Sequence, residues 1–118
     1  MSDFTILPLV YIAGPYSNPD PVLNTRHAVQ MSDFLIETCR VATHVPHLTM
    51  TYHLIAPHSL EWWYAYDLAV LKRCDAVFRL AGASTGADRE VEFARSIGLP
   101  VFTSEAELGD WSRGWRRA

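Results

Sequence analysis

Asp75-Ala76-Val77-Phe78-Arg79-Leu80, then Ala81-Gly82-Ala83-Ser84-Thr85-Gly86, then a run from about Ala87 to Ile97, closed by Gly98 and Leu99 to Thr103, is the stretch that decides the fold. Its first six residues, with Ala76, Val77 and Phe78 at their centre, read as a strand. The small residues of 81–86 form a loop. Ala87, Glu90, Ala94 and Ile97 recur at helical spacing, and Gly98 ends that helix as a C′ residue. Leu99 to Thr103 then returns to strand chemistry. A strand, a helix and a strand with no hairpin signal between them imply parallel pairing through a right-handed crossover.

The same alternation extends in both directions. Upstream, Leu60 to Arg73 is helical in pattern, and downstream Glu105 to Trp115 forms a terminal helix with Trp111 and Trp115 on one face, as core or subunit contacts. Near the start, Leu9-Val10-Tyr11-Ile12 is a first strand, halted by the turn signal Ala13-Gly14-Pro15. Asp20-Pro21 supplies an N-cap and a proline at the first helical position, and Ala28, Met31, Leu35 and Cys39 mark the inner face of the helix that follows. Val41 to Val45 reads as a second strand closed by Pro46, and His47 to Ser59 as irregular or briefly helical. The expectation is an α/β fold: a single Rossmann/flavodoxin-like domain over residues 1–118, with a four- or five-stranded parallel sheet flanked by helices.

Composition narrows the function. With 118 residues, 49% hydrophobic and a formal charge of −3, the chain is globular and carries no electrostatic footprint for a nucleic acid polymer. Arg113, Arg116 and Arg117 form the one basic cluster, read as a solvated tail. Cys39 and Cys74 sit in apolar helical patterns as free thiols, which suits a reducing, cytoplasmic setting. Neither a signal peptide nor a membrane span is read.

In an open parallel sheet the ligand sits beyond the carboxyl ends of the strands, which selects two loops, Gly14 to Asn18 and Gly82 to Gly86. The helix after the second loop aims Glu90 inward, whereas Glu92 lies about 200° around the axis and faces solvent. The first turn of a helix offers free N–H groups and a favourable dipole, which would keep Glu90 ionised and able to attack an electrophilic sugar carbon. Alternatively, Glu90 caps its helix or pairs with Arg26 or Arg79. Asp67 is a second candidate: Trp63 lies four residues before it, and Val70, Leu71 and Cys74 lie three, four and seven after it, so it occupies an apolar stripe. Desolvation would raise its pKa, as suits a group that hands a proton to a leaving base. The competing account is a cap or an ion pair with Arg73 or Lys72, and Asp75 is a further candidate of the kind that is usually structural.

Other chemistries fit less well. His44, His47, His53 and His58 match no compact zinc spacing, so no metal is expected and they are read as loop or pocket histidines. Ser17 and Ser84 lack the Gly-x-Ser-x-Gly context of acyl transfer. No dinucleotide or Walker fingerprint is present, so no cofactor is expected, although Ser84, Thr85 and Gly86 before a helix can hold one phosphate.

Taken together, Tyr11-Ile12-Ala13-Gly14-Pro15-Tyr16, Asp67 seven residues before Cys74, and Ser84-Thr85-Gly86-Ala87-Asp88-Arg89-Glu90-Val91 resemble the nucleoside 2-deoxyribosyltransferase superfamily, with the likeness running from Val10 to about Phe102. The resemblance implies double displacement at the N-glycosidic bond of a nucleoside or nucleoside 5′-monophosphate. Glu90 would be the nucleophile and Asp67 would assist the leaving base or orient the sugar, with Tyr11, Gly14 and Tyr16 shaping the pocket. Pro15, Ser17, His47, Ser84 and Gly86 are read as further substrate contacts. Two branches of the superfamily are in play. Ala13-Gly14-Pro15-Tyr16 is similar to the transferases on free nucleosides, which usually carry an aspartate where Ser84 stands. Ser84 and Gly86 are similar to the 5′-monophosphate N-glycosidases, which carry an arginine where Ser17 stands. The chain also resembles short relatives sharing Pro46-His47-Leu48 and Cys74-Asp75-Ala76. Members are commonly homo-oligomers, so a homodimer or larger assembly is implied. The alternative from another class is a non-catalytic nucleotide-binding or sensing module on the same fold.

Overall fold

The computed structural model describes residues 3–117. After a 3₁₀ turn at Phe4–Ile6, the elements run β1 (Leu9–Ala13), α1 (Pro21–Thr38), β2 (Ala42–His44), a 3₁₀ turn at Pro46–Thr49, α2 (Met50–Ile55), α3 (Leu60–Leu71), β3 (Ala76–Arg79), α4 (Thr85–Ser96), β4 (Val101–Phe102) and α5 (Glu105–Gly114). The described strands form one four-stranded sheet of order β2-β1-β3-β4, and every pairing is parallel. This is a Rossmann/flavodoxin-like α/β architecture. Because the chain moves outward from β1 to β2 and then returns past β1 to β3, the connections diverge at the carboxyl ends of β1 and β3, leaving a crevice there.

Period-two alternation in the central strands builds two cores. Val10 and Ile12 of β1 join Ala76 and Phe78 of β3 on the face covered by α1 and α5, with Leu35 and Leu108 beneath them. Tyr11 and Ala13 join Val77 on the opposite face, under Leu71 of α3 and Ala87, Val91 and Ala94 of α4. The alternation therefore decides that Tyr11 faces the same helix as Glu90. Leu35 is fully buried at the centre of the first core. Leu35→Ala is expected to cost about 2–5 kcal/mol, the range for truncating a packed leucine, measured as a shift in the urea unfolding midpoint with an unchanged slope.

Helix starts follow the expected capping chemistry. Asp20 accepts from the amides of Val22 and Leu23 with Pro21 at the first position. Ser84 accepts from the Ala87 amide at 3.1 Å, so α4 opens two residues earlier than the sequence pattern suggests. Gly98 has φ +83°, the left-handed value that lets it close α4. The last strand is shorter than expected, two residues instead of five, because only Val101 and Phe102 pair with β3. Segment 47–59, read as irregular or briefly helical, contains the second 3₁₀ turn and the six-residue α2.

Trp111 packs against Phe102 and the first core, and Trp115 is partly buried beside Arg117. Cys39 and Cys74 are buried and free. Among the described residues, no helix is long and apolar enough to cross a membrane.

Candidate functional site

The crevice at the ends of β1 and β3 is a cavity of about 520 Å³, within the range of small-molecule sites. Gly14, Pro15, Tyr16 and Ser17 from the β1 loop form one wall, and Ser84 and Gly86 at the start of α4 form another. Asp67, Glu90 and His47 complete it. Gly14 is required where the loop turns past β3: a Cβ there would lie 2.8 Å from Leu80 Cδ1 and 3.0 Å from its Cβ. A side chain on Gly86 would meet nothing within 4 Å, so at that position the glycine leaves open space beside the helix start.

Glu90 is buried, and its Oε2 accepts the hydroxyl hydrogen of Tyr11. Tyr11 itself is fully buried and is not among the residues lining the cavity, and its hydroxyl holds the Glu90 carboxylate. Glu90 also lies in the middle of α4, beyond its first turn, where Asp88 is the acidic residue. The helix dipole therefore does not keep it ionised as expected. Burial instead raises its pKa to about 7, a rise opposed by the Tyr11 hydrogen bond and reinforced by the neighbouring charge of Asp67. Pairing with Arg79 does not occur: that guanidinium is spent on the carbonyls of Leu80 and Gly82 and on Asp88 at 2.9 Å. Glu92 is exposed, as its place on the helix predicts.

Asp67 is half-buried on α3, and its Oδ1 has no hydrogen-bond partner. Burial lifts its pKa from 3.8 to about 7. It forms no ion pair with Lys72 or Arg73, and the Arg73 guanidinium donates to the Ala69 carbonyl instead. Asp75 is structural: it accepts the Leu9 amide at 2.8 Å and pairs with Arg117 at 3.1 Å. His47 is buried, with Nε2 2.9 Å from the Pro15 carbonyl and Nδ1 unpartnered. Since a carbonyl only accepts, Nε2 carries the proton and Nδ1 a lone pair. Burial holds the ring's pKa below its ordinary value.

Residues 8–104 match the model of a family described as a domain of unknown function, DUF7768. The chain belongs to the DUF7768 family. Its structure is similar to a solved 2-deoxyribosyltransferase from the psychrotolerant bacterium Bacillus psychrosaccharolyticus, with TM-score 0.56 and 23% sequence identity, covering 79% of this chain and 69% of that one. The likeness is one of fold. No curated protein matches the sequence.

The cavity of this DUF7768 chain also contains residues that the sequence pattern did not single out as substrate contacts. His53, His58, Trp63, Tyr64 and Arg89 line it from α2, the loop that follows it, α3 and α4. Trp63 is the neighbour of Asp67 on one helix face, and His53 and His58, read from the sequence as loop or pocket histidines, come from a segment without clear periodicity. Arg89 stacks on the Tyr64 ring at 3.7 Å and pairs with Glu61 at 3.2 Å. Among the described residues, no group of three or more His, Cys, Asp or Glu side chains is arranged to hold a metal ion. Chemically, the site offers two carboxyl groups that both change charge near neutrality, one of them braced by a tyrosine, in a cavity partly screened from water.

Proposed function

We propose that this chain cleaves or transfers the N-glycosidic bond of a nucleoside or nucleoside 5′-monophosphate through a glycosyl-enzyme on Glu90. The observation that carries the reading is Glu90 itself, buried at the cavity and held by the Tyr11 hydroxyl with a second, protonatable carboxyl nearby. A Glu90 carboxylate oxygen attacks the anomeric carbon. The carbon–nitrogen bond breaks, and its electron pair leaves with the base, which takes a proton from Asp67. Water or a second base then attacks the same carbon, gives its proton to the Asp67 carboxylate and releases Glu90. Two carboxyls titrating near pH 7 fit this division of labour, since one must be ionised while the other is protonated. The match of fold to a 2-deoxyribosyltransferase supports the same reading.

The α4 start is the proposed place for a 5′-phosphate. Thr85 and Gly86 amides at a helix N-terminus have no carbonyl one turn back, and the Ser84 hydroxyl, which accepts from Ala87, still has its own hydrogen to donate. The chain is proposed to act as one domain without a cofactor, in the cytoplasm and as a homo-oligomer.

The test is to incubate the protein with nucleosides and their 5′-monophosphates, with and without an added free base, and to separate the products by chromatography. Free base is the expected product. A new nucleoside in the presence of the acceptor identifies a transferase, and its absence a hydrolase. Tight binding with no base released over long incubation overturns the proposal in favour of a sensing module.

A further inference from the structure

Tyr52, His53, His58, Trp62, Trp63 and Tyr66 form an aromatic cluster where α2 meets α3. Within it, His53 is fixed from one side. The indole N–H of Trp63 donates to His53 Nδ1 at 2.7 Å, and the backbone N–H of His58 approaches the same atom at 3.3 Å. A ring nitrogen accepts only if it carries a lone pair, so the proton of the neutral ring resides on Nε2. That nitrogen is then a donor, and it cannot become an acceptor while the indole holds Nδ1.

The position of this donor matters because His53, Trp63 and Asp67 all line the cavity. Trp63 stands one helical turn before Asp67 on the same face of α3. Whatever group takes the Asp67 proton therefore lies close to the Trp63–His53 pair. Arg89, the other strong donor there, is engaged with Glu61 and Tyr64.

We propose that His53, with its tautomer set by Trp63, is a specificity-determining donor for the leaving base, and that the site favours bases with a carbonyl oxygen at purine position 6 or pyrimidine position 4 over those with an amino group there. The inference rests on the N-glycosidic reading for the position of the base. A carbonyl oxygen accepts the Nε2–H, whereas an amino group brings N–H against N–H and leaves both unpaired in a partly dry site. Trp63 acts through His53 and is a positioning residue.

The experiment compares kcat/KM for the inosine–adenosine and uridine–cytidine pairs, as nucleosides or monophosphates, in the wild-type chain and in His53→Phe and Trp63→Phe. Calorimetric binding of free hypoxanthine and adenine runs beside it. The wild type is expected to favour the oxo partner by roughly 10- to 100-fold. That ratio should collapse toward one in His53→Phe and fall partway in Trp63→Phe, where only the longer contact from the His58 N–H still favours that tautomer. In the wild type, the long-range nitrogen–proton NMR pattern of His53 should be that of the Nε2–H form, shifting to a mixture in Trp63→Phe. An oxo-to-amino ratio near one in the wild type, or a wild-type His53 in the Nδ1–H form, overturns the inference. If no substrate releases base, yet hypoxanthine binds better than adenine and His53→Phe erases the difference, the reaction is wrong and the donor assignment stands.

Discussion

Glu90→Gln is expected to release base at least on the order of 10⁴-fold more slowly than the wild type, the scale on which removal of a nucleophile acts. Glutamine keeps the volume and one carbonyl oxygen that can still accept the Tyr11 hydroxyl hydrogen, so the α4–β1 packing should survive. Circular dichroism and the thermal midpoint check that it does. What the amide lacks is the oxygen basicity needed to displace a base from the anomeric carbon. Glu92→Ala is the internal control, because Glu92 is exposed two residues along the same helix. A second readout addresses the covalent step. With a 2-fluoro sugar analogue, which slows resolution of the intermediate, mass spectrometry should find the glycosyl group on the peptide containing Glu90, and in Glu90→Gln no such adduct should form. Wild-type turnover in Glu90→Gln, or a label on another carboxylate, would show that the wrong acid has been assigned.

How far the site was readable in advance follows from the kind of information each residue carries. The strand at 75–80, the loop at 81–86 and the helix closed by Gly98 were legible because turn and cap chemistry are local, and parallel pairing follows from the crossover they build. The inward aim of Glu90 was legible too, from its helical spacing to Ala87 and Ala94, both buried beside it. Its electrostatics were not. A helical pattern does not reveal where a helix begins, and once Ser84 is the cap, Glu90 lies too far along α4 for the first-turn amides to reach it. The partner that does hold it, Tyr11, is 79 residues away in sequence, and only the pairing of β1 with β3 brings the two together. His53 was read only as a loop or pocket histidine, and its donor role was unreadable for a related reason. Its tautomer depends on an indole ten residues later, across a bend that has no periodicity of its own.

Asp67→Asn carries the second large effect and separates the two carboxyls by their pH dependence. Removing a general acid is expected to slow base release by roughly 10²- to 10⁴-fold. An aryl glycoside whose phenolate departs without protonation should lose far less, a contrast that a merely structural role for Asp67 would not produce. In the wild type the rate should rise as Glu90 ionises near pH 7 and fall as Asp67 gives up its proton in the same region, a narrow bell whose two apparent pKa values belong to the pair. The asparagine variant should lose the alkaline limb. Its acid limb should also move to lower pH, because the Asp67 charge is among the causes that raise Glu90. Stability gives an independent check whose sign is fixed. The folded pKa of Asp67 is raised from 3.8 to about 7, so between these values the folded state binds more protons than the unfolded one and stability falls as pH rises. The contribution is fully present below the lower value and lost through the upper. Glu90, raised from 4.5 to about 7, adds a decline of the same sign, so Asp67→Asn should make the fall in urea midpoint across that window shallower and leave the part due to Glu90. A wild type whose stability rises over the same range, or a variant that keeps the bell unchanged, would place the Asp67 proton elsewhere.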